Sequence, residues 1–374
     1  MNRLIDAFFE YVKHSDRVFW VLCIVSSLFG LAMVYSSATP SEFLTQVLAT
    51  LLGYVAIIVL SVIDYEQLLR FLPIIAVFSI FLLVLTVFWG VGPEGSQNKA
   101  WLPIFNLFTF QPSELMKFAF ILTFGYHLSY LIRYKQLNHI VHVLMLLIHI
   151  GIPIVLIRVC TKDDGSALVF LFLALAMLVA SGLKLRYFAV GGALLVAAVP
   201  LVWRYVFSDF QKQRFMIIAD LEQDPLYMGY HQIQTKISIG SGQLWGKGLF
   251  NGPRTAKGIV PEDHNDMIFS VVGEELGFIG CVLVLLLLFF LLFRLIHIAG
   301  TSRDNMGSII CFGFFGMIAF QSIENIGMCM GILPVIGITL PFFSAGGSST
   351  VCLYMIVGLV QSVYIHRNEF KLRV

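Results

Sequence analysis

The sequence has few charged residues for its length. Of its 374 residues only 12% are Asp, Glu, Lys or Arg, whereas 58% are hydrophobic and the mean hydropathy is +0.87. A soluble domain carries roughly 25% charged residues, so this chain lacks the polar surface that a water-soluble fold needs. The basic residues are scattered without a patch and the net charge is only +2, which excludes an electrostatic nucleic-acid interface.

The sequence also lacks paired cysteines and a phosphate-binding loop. Its six cysteines form no CxxC pair and no Cys/His spacing typical of a metal site, and five of them lie in or at the end of apolar runs. We therefore interpret them as small core residues. The glycines of residues 237–252 do not match the G-x-x-x-x-G-K-[ST] spacing, and the chain has no soluble nucleotide-binding domain, so nucleotide hydrolysis is excluded.

Long apolar runs dominate the chain. Runs of about 17 to 25 residues are long enough to cross a bilayer as helices. We therefore predict an all-α polytopic membrane protein with about ten transmembrane helices, as one domain over residues 1–374. The predicted spans are 18–35, 43–63, 72–89, 115–132, 140–159, 167–183, 187–207, 267–292, 306–330 and 343–365.

The positions of lysine and arginine predict the orientation of these helices. With the N-terminus inside, thirteen basic residues lie in inner segments, and short outer segments hold only Lys99, Arg158 and Lys162. Cytoplasmic loops carry such an excess, whereas long loops cross regardless of charge. We therefore expect both termini in the cytoplasm and a large extracytoplasmic loop, about residues 208–266, between the seventh and eighth spans.

Residues 331–349, GILPVIGITLPFFSAGGSS, fit neither a helix nor an ordinary loop. Two prolines and several glycines argue against a continuous helix, yet the segment is very apolar. Irregular backbone at membrane depth is tolerated where protein or a watery cavity satisfies it. We expect a re-entrant cavity wall; the alternative is a wet turn between two helices.

Two carboxylate side chains directly precede the eighth apolar run. In the sequence PEDHND, Asp263 and Asp266 precede that run. Each could cap the helix, because acids suit its positive end. Asp263 fits this role well, but Met267 and further apolar residues follow Asp266 directly. A carboxylate beside apolar walls can have a raised pKa and accept a proton, so base and cap both stay open for Asp266.

Two glutamates lie deeper in the same run. If one continuous helix began at Asp266, Glu274 would lie about 80° around the helix axis from Asp266 and about 12 Å further along that axis. We therefore expect Glu274 to share a cleft with Asp266. Glu275 points to the other side of such a helix, and for it we favour a structural role.

Other charged residues lie near the outer boundary. Glu114 and Lys117 are spaced to share one helix face: they form a buried ion pair, or Lys117 points into a cavity and meets an anion. Lys236, Lys247 and Arg254 place cations in the long outer loop. Such cations suit a lipid-linked phosphate.

Several ordered motifs together resemble a known family. They are Gln111-Pro112-Ser113-Glu114 with Lys117, Asp163 before Gly165-Ser166-Ala167, Gly240-Ser241-Gly242 with Gly246-Lys247-Gly248, Pro261-Glu262 with His264 and Asp266, Gly273-Glu274-Glu275, Asn325-Ile326-Gly327, and Leu340-Pro341-Phe342-Phe343-Ser344. Over nearly its whole length the chain resembles the SEDS family of RodA, FtsW and SpoVE proteins. It departs from the usual Arg-Trp of the first outer loop, where it has Ala100-Trp101 with Lys99 one place earlier.

The resemblance implies an inverting peptidoglycan glycosyltransferase. Such an enzyme polymerises lipid II at the outer face of the bacterial cytoplasmic membrane. Its substrates are lipid II and a glycan linked to undecaprenyl pyrophosphate. Its partner is a class B penicillin-binding protein, a transpeptidase, and its RodA-like role is elongation and rod shape. The alternatives are a lipid II flippase or transporter, a division or sporulation paralogue, and a non-enzymatic scaffold.

The resemblance also implies roles for individual residues. Asp266 becomes the catalytic base. A divalent cation, Mg²⁺ or Mn²⁺, is a candidate cofactor; Asp163 either holds such an ion or orients a lysine. The candidate substrate-binding residues are Glu114, Lys117, Lys99, Lys247, Asp163, Glu274 and Ser344.

Overall fold

The computed structural model describes residues 13–92, 98–104, 108–205, 207–219 and 229–368. Nine helices in these ranges are long and apolar enough to cross a membrane; Asp164–Ala180 is apolar but only 17 residues long. All ten predicted spans therefore coincide with helices, and the polytopic membrane fold is confirmed. The main helices are α1 (Arg17–Ser37), α2 (Pro40–Val62), α4 (Leu72–Trp89), α5 (Pro112–Arg133), α6 (Ile140–Cys160), α7 (Asp164–Ala180), α8 (Leu185–Tyr205), α11 (Ile268–Thr301), α12 (Asn305–Cys329) and α13 (Gly347–Ile365).

Side chains between the apolar runs set where several helices begin. Asp16 accepts a bond of 2.8 Å from the Phe19 amide at the start of α1. Thr39 and Glu42 form a capping box at the start of α2. Asp163 and Asp304 cap α7 and α12 in the same way. These oxygens satisfy amide groups that the first helical turn leaves unpaired.

The core of the bundle is formed by α5, α12 and α13. Most residues of these three helices are buried, whereas α8 buries none of its residues. Helix α12 packs against α7 and α11, and α13 packs against α2. Small residues let α2 and α13 approach closely: a Cβ on Gly358 would lie 3.0 Å from the Ile57 Cα. The chain thus surrounds a few buried helices with a lipid-facing ring.

The loops differ from a plain all-α arrangement. Strands β1 (Leu102–Ile104) and β2 (Phe108–Phe110) form an antiparallel hairpin before α5. The long loop after α8 contains α9 (Asp209–Ala219) and α10 (Tyr230–Ser241). A four-residue helix, α3 (Tyr65–Leu68), precedes α4. The predicted long outer loop, about residues 208–266, thus contains two helical segments among its described residues.

The segment between α12 and α13 is irregular, as predicted, and its second half is buried. No helix forms from Gly331 to Gly346, and α13 begins at Gly347 rather than at 343. Leu340 is 1% exposed and Phe343 is fully buried, whereas Ile332 is 61% exposed. The buried second half favours the cavity wall over a turn in water, and the re-entrant arrangement stays a prediction.

Candidate active site

Residues 262–267 form a compact turn directly before α11. The amides of Asn265 and Met267 both donate to the Glu262 carbonyl, at 3.1 and 3.0 Å. Helix α11 has Met267 at its N-cap position and no side-chain cap. The prediction that Asp263 caps this helix is therefore wrong. Its Oδ1 instead lies 3.5 Å from the His264 Nδ1.

Three consecutive carbonyl groups hold this turn against the rest of the bundle. The His264 carbonyl accepts from the Ala345 amide at 2.8 Å. The Asn265 carbonyl accepts from the Ser344 hydroxyl at 2.7 Å, and the Asp266 carbonyl accepts from the Asn325 amide group at 2.7 Å. The backbone of Asp266 is thereby fixed between α12 and the irregular segment. Such fixing is the pre-organisation that a catalytic side chain needs.

The surroundings of Asp266 favour its protonated form more than water does. Burial, followed by the negative charges of Glu262 and Asp163, raises the pKa of Asp266 to about 7, against the opposing effect of His264. A carboxyl group with a pKa near neutrality is suited to general-base catalysis, because a large fraction is ionised near neutral pH and the carboxylate is still basic enough to take a proton. The chemistry predicted for Asp266 therefore has a structural basis.

Gly337 of the irregular segment approaches the Asp266 carboxylate. Its φ is +72°, and a Cβ there would lie 3.3 Å from the Asp266 Oδ2. We expect Gly337→Ala to lower turnover about tenfold or more, because the methyl group displaces the carboxylate and misplaced catalytic groups lose rate steeply. The measurement is glycan formation from lipid II by the purified variant.

Gly258→Ala is the matched control for this substitution. Gly258 has a φ of +57°, and a Cβ there would meet nothing within 4 Å. The control therefore adds similar backbone strain without a new contact. Equal losses of activity in the two variants would show that strain, not the contact with Asp266, is responsible.

Asp163 lies within electrostatic range of Asp266 and is itself anchored. Its Oδ1 accepts from the Ser166 amide at 3.0 Å, and its Oδ2 accepts from the Ser166 hydroxyl at 2.7 Å and from the Gln111 side chain at 3.1 Å. Asp163 thus joins the starts of α5 and α7. Its predicted substrate-binding role stays a prediction.

The Glu114–Lys117 pair is formed and buried. The Lys117 Nζ lies 2.7 Å from the Glu114 Oε1, and the lysine side chain is 1% exposed. Glu114 and Ser344 also line one cavity of about 20 Å³, which has room for roughly one water molecule. The structure thus brings these two candidates together beneath the turn that carries Asp266.

Glu274 does not share a cleft with Asp266, so this expectation is wrong. Its Oε1 accepts from the Arg254 amide at 2.8 Å, and its Oε2 accepts from the amide and hydroxyl of Thr255, at 3.0 and 2.8 Å. Glu275 binds the Phe250 amide at 3.0 Å and the Ser36 hydroxyl. Both glutamates fasten the glycine-rich loop onto α11, which confirms the structural role of Glu275.

Lys99 and Lys247 both have exposed side chains. The Lys99 amide donates to the Thr161 carbonyl at 3.1 Å, two residues before Asp163. The Lys247 amide donates to the Glu274 carbonyl at 2.9 Å. Their backbones are therefore fixed, and contact of their ammonium groups with a phosphate stays a prediction.

Sequence reasoning assigned no role to Asn325 or Gly337. Asn325 lies in a motif that carried the family resemblance, but only its contact with the Asp266 carbonyl reveals what it does. Glu324, beside it, is 3% exposed, and neither of its carboxylate oxygens has a hydrogen-bond partner among the described residues. The sequence already marks Glu324 as an acid inside an apolar run, for which packing with a polar partner and a functional role both stay open.

Comparison with known proteins identifies the family. Residues 16–369 match the family of cell cycle proteins that comprises FtsW, RodA and SpoVE. The chain belongs to this family. A relative within the FtsW/RodA/SpoVE family is the peptidoglycan glycosyltransferase MrdB of Escherichia coli K12, which is 34% identical over 317 residues, covering 85% of this chain and 84% of MrdB.

Two solved structures of similar proteins share the fold. One comes from a peptidoglycan synthase complex that structurally coordinates polymerization and crosslinking. It has a TM-score of 0.78 at 28% identity, over 94% of this chain and 98% of the other. The other is the rod shape determining protein RodA of Thermus thermophilus, with a TM-score of 0.69 at 27% identity, over 95% and 98%.

Proposed function

We propose that this chain is a peptidoglycan glycosyltransferase that polymerises lipid II into glycan strands. The observation that carries the proposal is Asp266: its turn is fixed at three consecutive carbonyl groups, of residues 264 to 266, and its pKa is raised to about 7 by burial and neighbouring carboxylates. The activity named for the related MrdB protein supports the same reaction class.

In the proposed reaction the Asp266 carboxylate is the general base. It takes the proton from the 4-hydroxyl of the acceptor lipid II sugar, and that oxygen attacks C1 of the lipid-linked donor glycan. The new O–C1 bond forms on the face opposite the breaking C1–O bond, so the anomeric configuration inverts. Undecaprenyl pyrophosphate leaves with the bonding electrons, and the proton stays on Asp266 until solvent removes it.

The leaving pyrophosphate needs positive charge where its own charge develops. We assign this role to Lys117, Lys99 and Lys247, with Lys117 as the buried member of the three. A divalent cation is a further candidate. Asp163 offers oxygen ligands of the kind Mg²⁺ prefers, although the described residues contain no group of three His, Cys, Asp or Glu arranged around a metal position.

The proposed cellular setting rests on the orientation that the lysine and arginine positions predict. In that orientation both termini lie in the cytoplasm, and Asp266 faces outward in the bacterial cytoplasmic membrane, where lipid II is presented. We infer a role in elongation and rod shape, supported by the likeness to RodA. A class B penicillin-binding protein is the proposed partner, supported by the likeness to a synthase that couples polymerization to crosslinking.

The test is glycan polymerisation by the purified protein in liposomes. Fluorescent lipid II is supplied on the side that carries Asp266, with and without a class B partner. We expect polymer on a gel, and its length should fall after digestion by a muramidase. A flippase would instead move labelled lipid II between leaflets and form no polymer, and that result would replace the proposed function.

A further inference from the structure

His264 lies between two carboxylates that come from different parts of the chain. Its Nδ1 is 3.5 Å from the Asp263 Oδ1, and its Nε2 is 3.6 Å from the Glu42 Oε1 in the first turn of α2. The imidazole is 19% exposed and the Asp263 side chain is 8% exposed. The other Glu42 oxygen already accepts from the Thr39 amide at 2.9 Å, so the position of Glu42 is fixed.

This arrangement favours a positively charged imidazolium. Hydrogen bonding to Asp263, followed by the charges of Glu42 and Glu262, raises the pKa of His264 above its usual value, although burial opposes this. Both ring nitrogens donate in the imidazolium form, and here each faces a carboxylate oxygen. The protonated ring is therefore the form that both partners can bind.

The charge of His264 acts on Asp266, two residues away. Glu262 and Asp163 disfavour the ionised form of Asp266, and His264 favours it. Glu324 of α12 is a further carboxyl group within electrostatic range of Asp266. The irregular segment 331–349 contains no titratable residue and meets His264 through the Ala345 amide. Glu114 is paired with Lys117, and Glu274 is bound by the 254–255 loop. Among the described residues, His264 is thus the cation whose charge opposes those of Glu262 and Asp163 at Asp266.

We propose that protonated His264, held by Glu42 and Asp263, is a positioning residue that keeps Asp266 ionised as the base. The inference rests on the proposed function, and it assigns a role to a side chain that does not touch substrate. It also links α2 to the catalytic turn, since Glu42 holds the charge in place.

The test is the pH dependence of lipid II polymerisation by purified variants. In the wild type the rate should fall as the pH drops through about 7, because protonated Asp266 cannot accept a proton. Removing a nearby positive charge disfavours the carboxylate and raises its pKa. The acid limb is the low-pH side of the pH–rate profile, where the rate falls as Asp266 is protonated. In His264→Gln this limb should therefore shift to higher pH by about half to one unit, so the rate at a given pH on the limb should be about 3- to 10-fold lower. At high pH the two rates should converge.

Charge-retaining and remote variants complete the experiment. His264→Lys should keep the acid limb near that of the wild type, and Glu42→Gln should move it in the same direction as His264→Gln but less. His297→Gln, an exposed histidine near the other end of α11, should change nothing. A uniform loss at every pH in His264→Gln, or an unmoved acid limb, would overturn the inference.

The outcome separates this inference from the function on which it rests. If Asp266→Asn abolishes polymerisation while the His264→Gln acid limb stays in place, only the role of His264 fails. If Asp266→Asn retains full activity, the base role of Asp266 fails, and the role of His264 fails with it. If the wild type forms no polymer, the proposed function itself fails whatever the His264 variants do. Thermal unfolding of each variant identifies any that does not fold, in which case Glu42→Gln carries the test.

Discussion

Asp266→Asn is expected to lower lipid II polymerisation by about 10²- to 10⁴-fold, the usual contribution of a general base. Asparagine has nearly the same shape but cannot accept the proton of the attacking hydroxyl. The fold should be unchanged, because the bond from Asn325 goes to the backbone carbonyl of residue 266 and not to its side chain. The measurement is the initial rate of polymer formation in liposomes, with the unfolding temperature recorded for each protein.

Glu262→Gln is the matched control for this change. Glu262 belongs to the same turn, is exposed, and raises the pKa of Asp266. Its replacement removes one negative charge, so we expect polymerisation to continue with its acid limb at lower pH. Undiminished polymerisation by Asp266→Asn would remove Asp266 from the reaction altogether.

Asn325→Ala is expected to have the second large effect, on stability and activity together. The side chain of Asn325 donates to the Asp266 carbonyl and to the Ile338 carbonyl, each at 2.7 Å. Alanine leaves both carbonyl groups without this donor. A buried polar group without its partner costs about 1 to 3 kcal/mol, so the variant should lose roughly 2 kcal/mol or more in free energy of unfolding. Turnover should fall too, because Asp266 loses its anchor to α12.

Ser322→Ala provides the comparison on the same helix. The Ser322 hydroxyl is buried and has no hydrogen-bond partner among the described residues, so its removal breaks no bond. We expect its unfolding temperature and polymerisation rate to stay near those of the wild type. If both variants lose stability equally, the cost comes from altering α12 and not from the bonds of Asn325.

The helices and two features of the site could be predicted from the sequence. Apolar runs long enough to cross a bilayer have few alternatives to a helix, because the backbone must satisfy its own hydrogen bonds in lipid. The pairing of Glu114 with Lys117 also followed from their spacing on one helix face. Asp266 stood out because a carboxylate directly before an apolar helix has an environment unlike water.

The position of Glu274 could not be predicted from the sequence. The expected cleft assumed one continuous helix from residue 266, but α11 begins at Ile268 and Asp266 lies in the preceding turn. Helical geometry therefore does not relate the two side chains. Glu274 binds instead the amide groups of residues 254 and 255, which lie 20 and 19 positions earlier in the chain.

Composition and spacing by themselves determined the class of membrane protein, the membrane-spanning segments and the acidic residue directly before α11, Asp266. Tertiary structure alone decided what surrounds that acid: the Asn325 bond, the close approach of Gly337, and the Glu42–His264 pair. The physical reason is the range of the interactions. Hydrophobic length and helical spacing are local properties of the chain, whereas these contacts join residues separated by up to 222 positions.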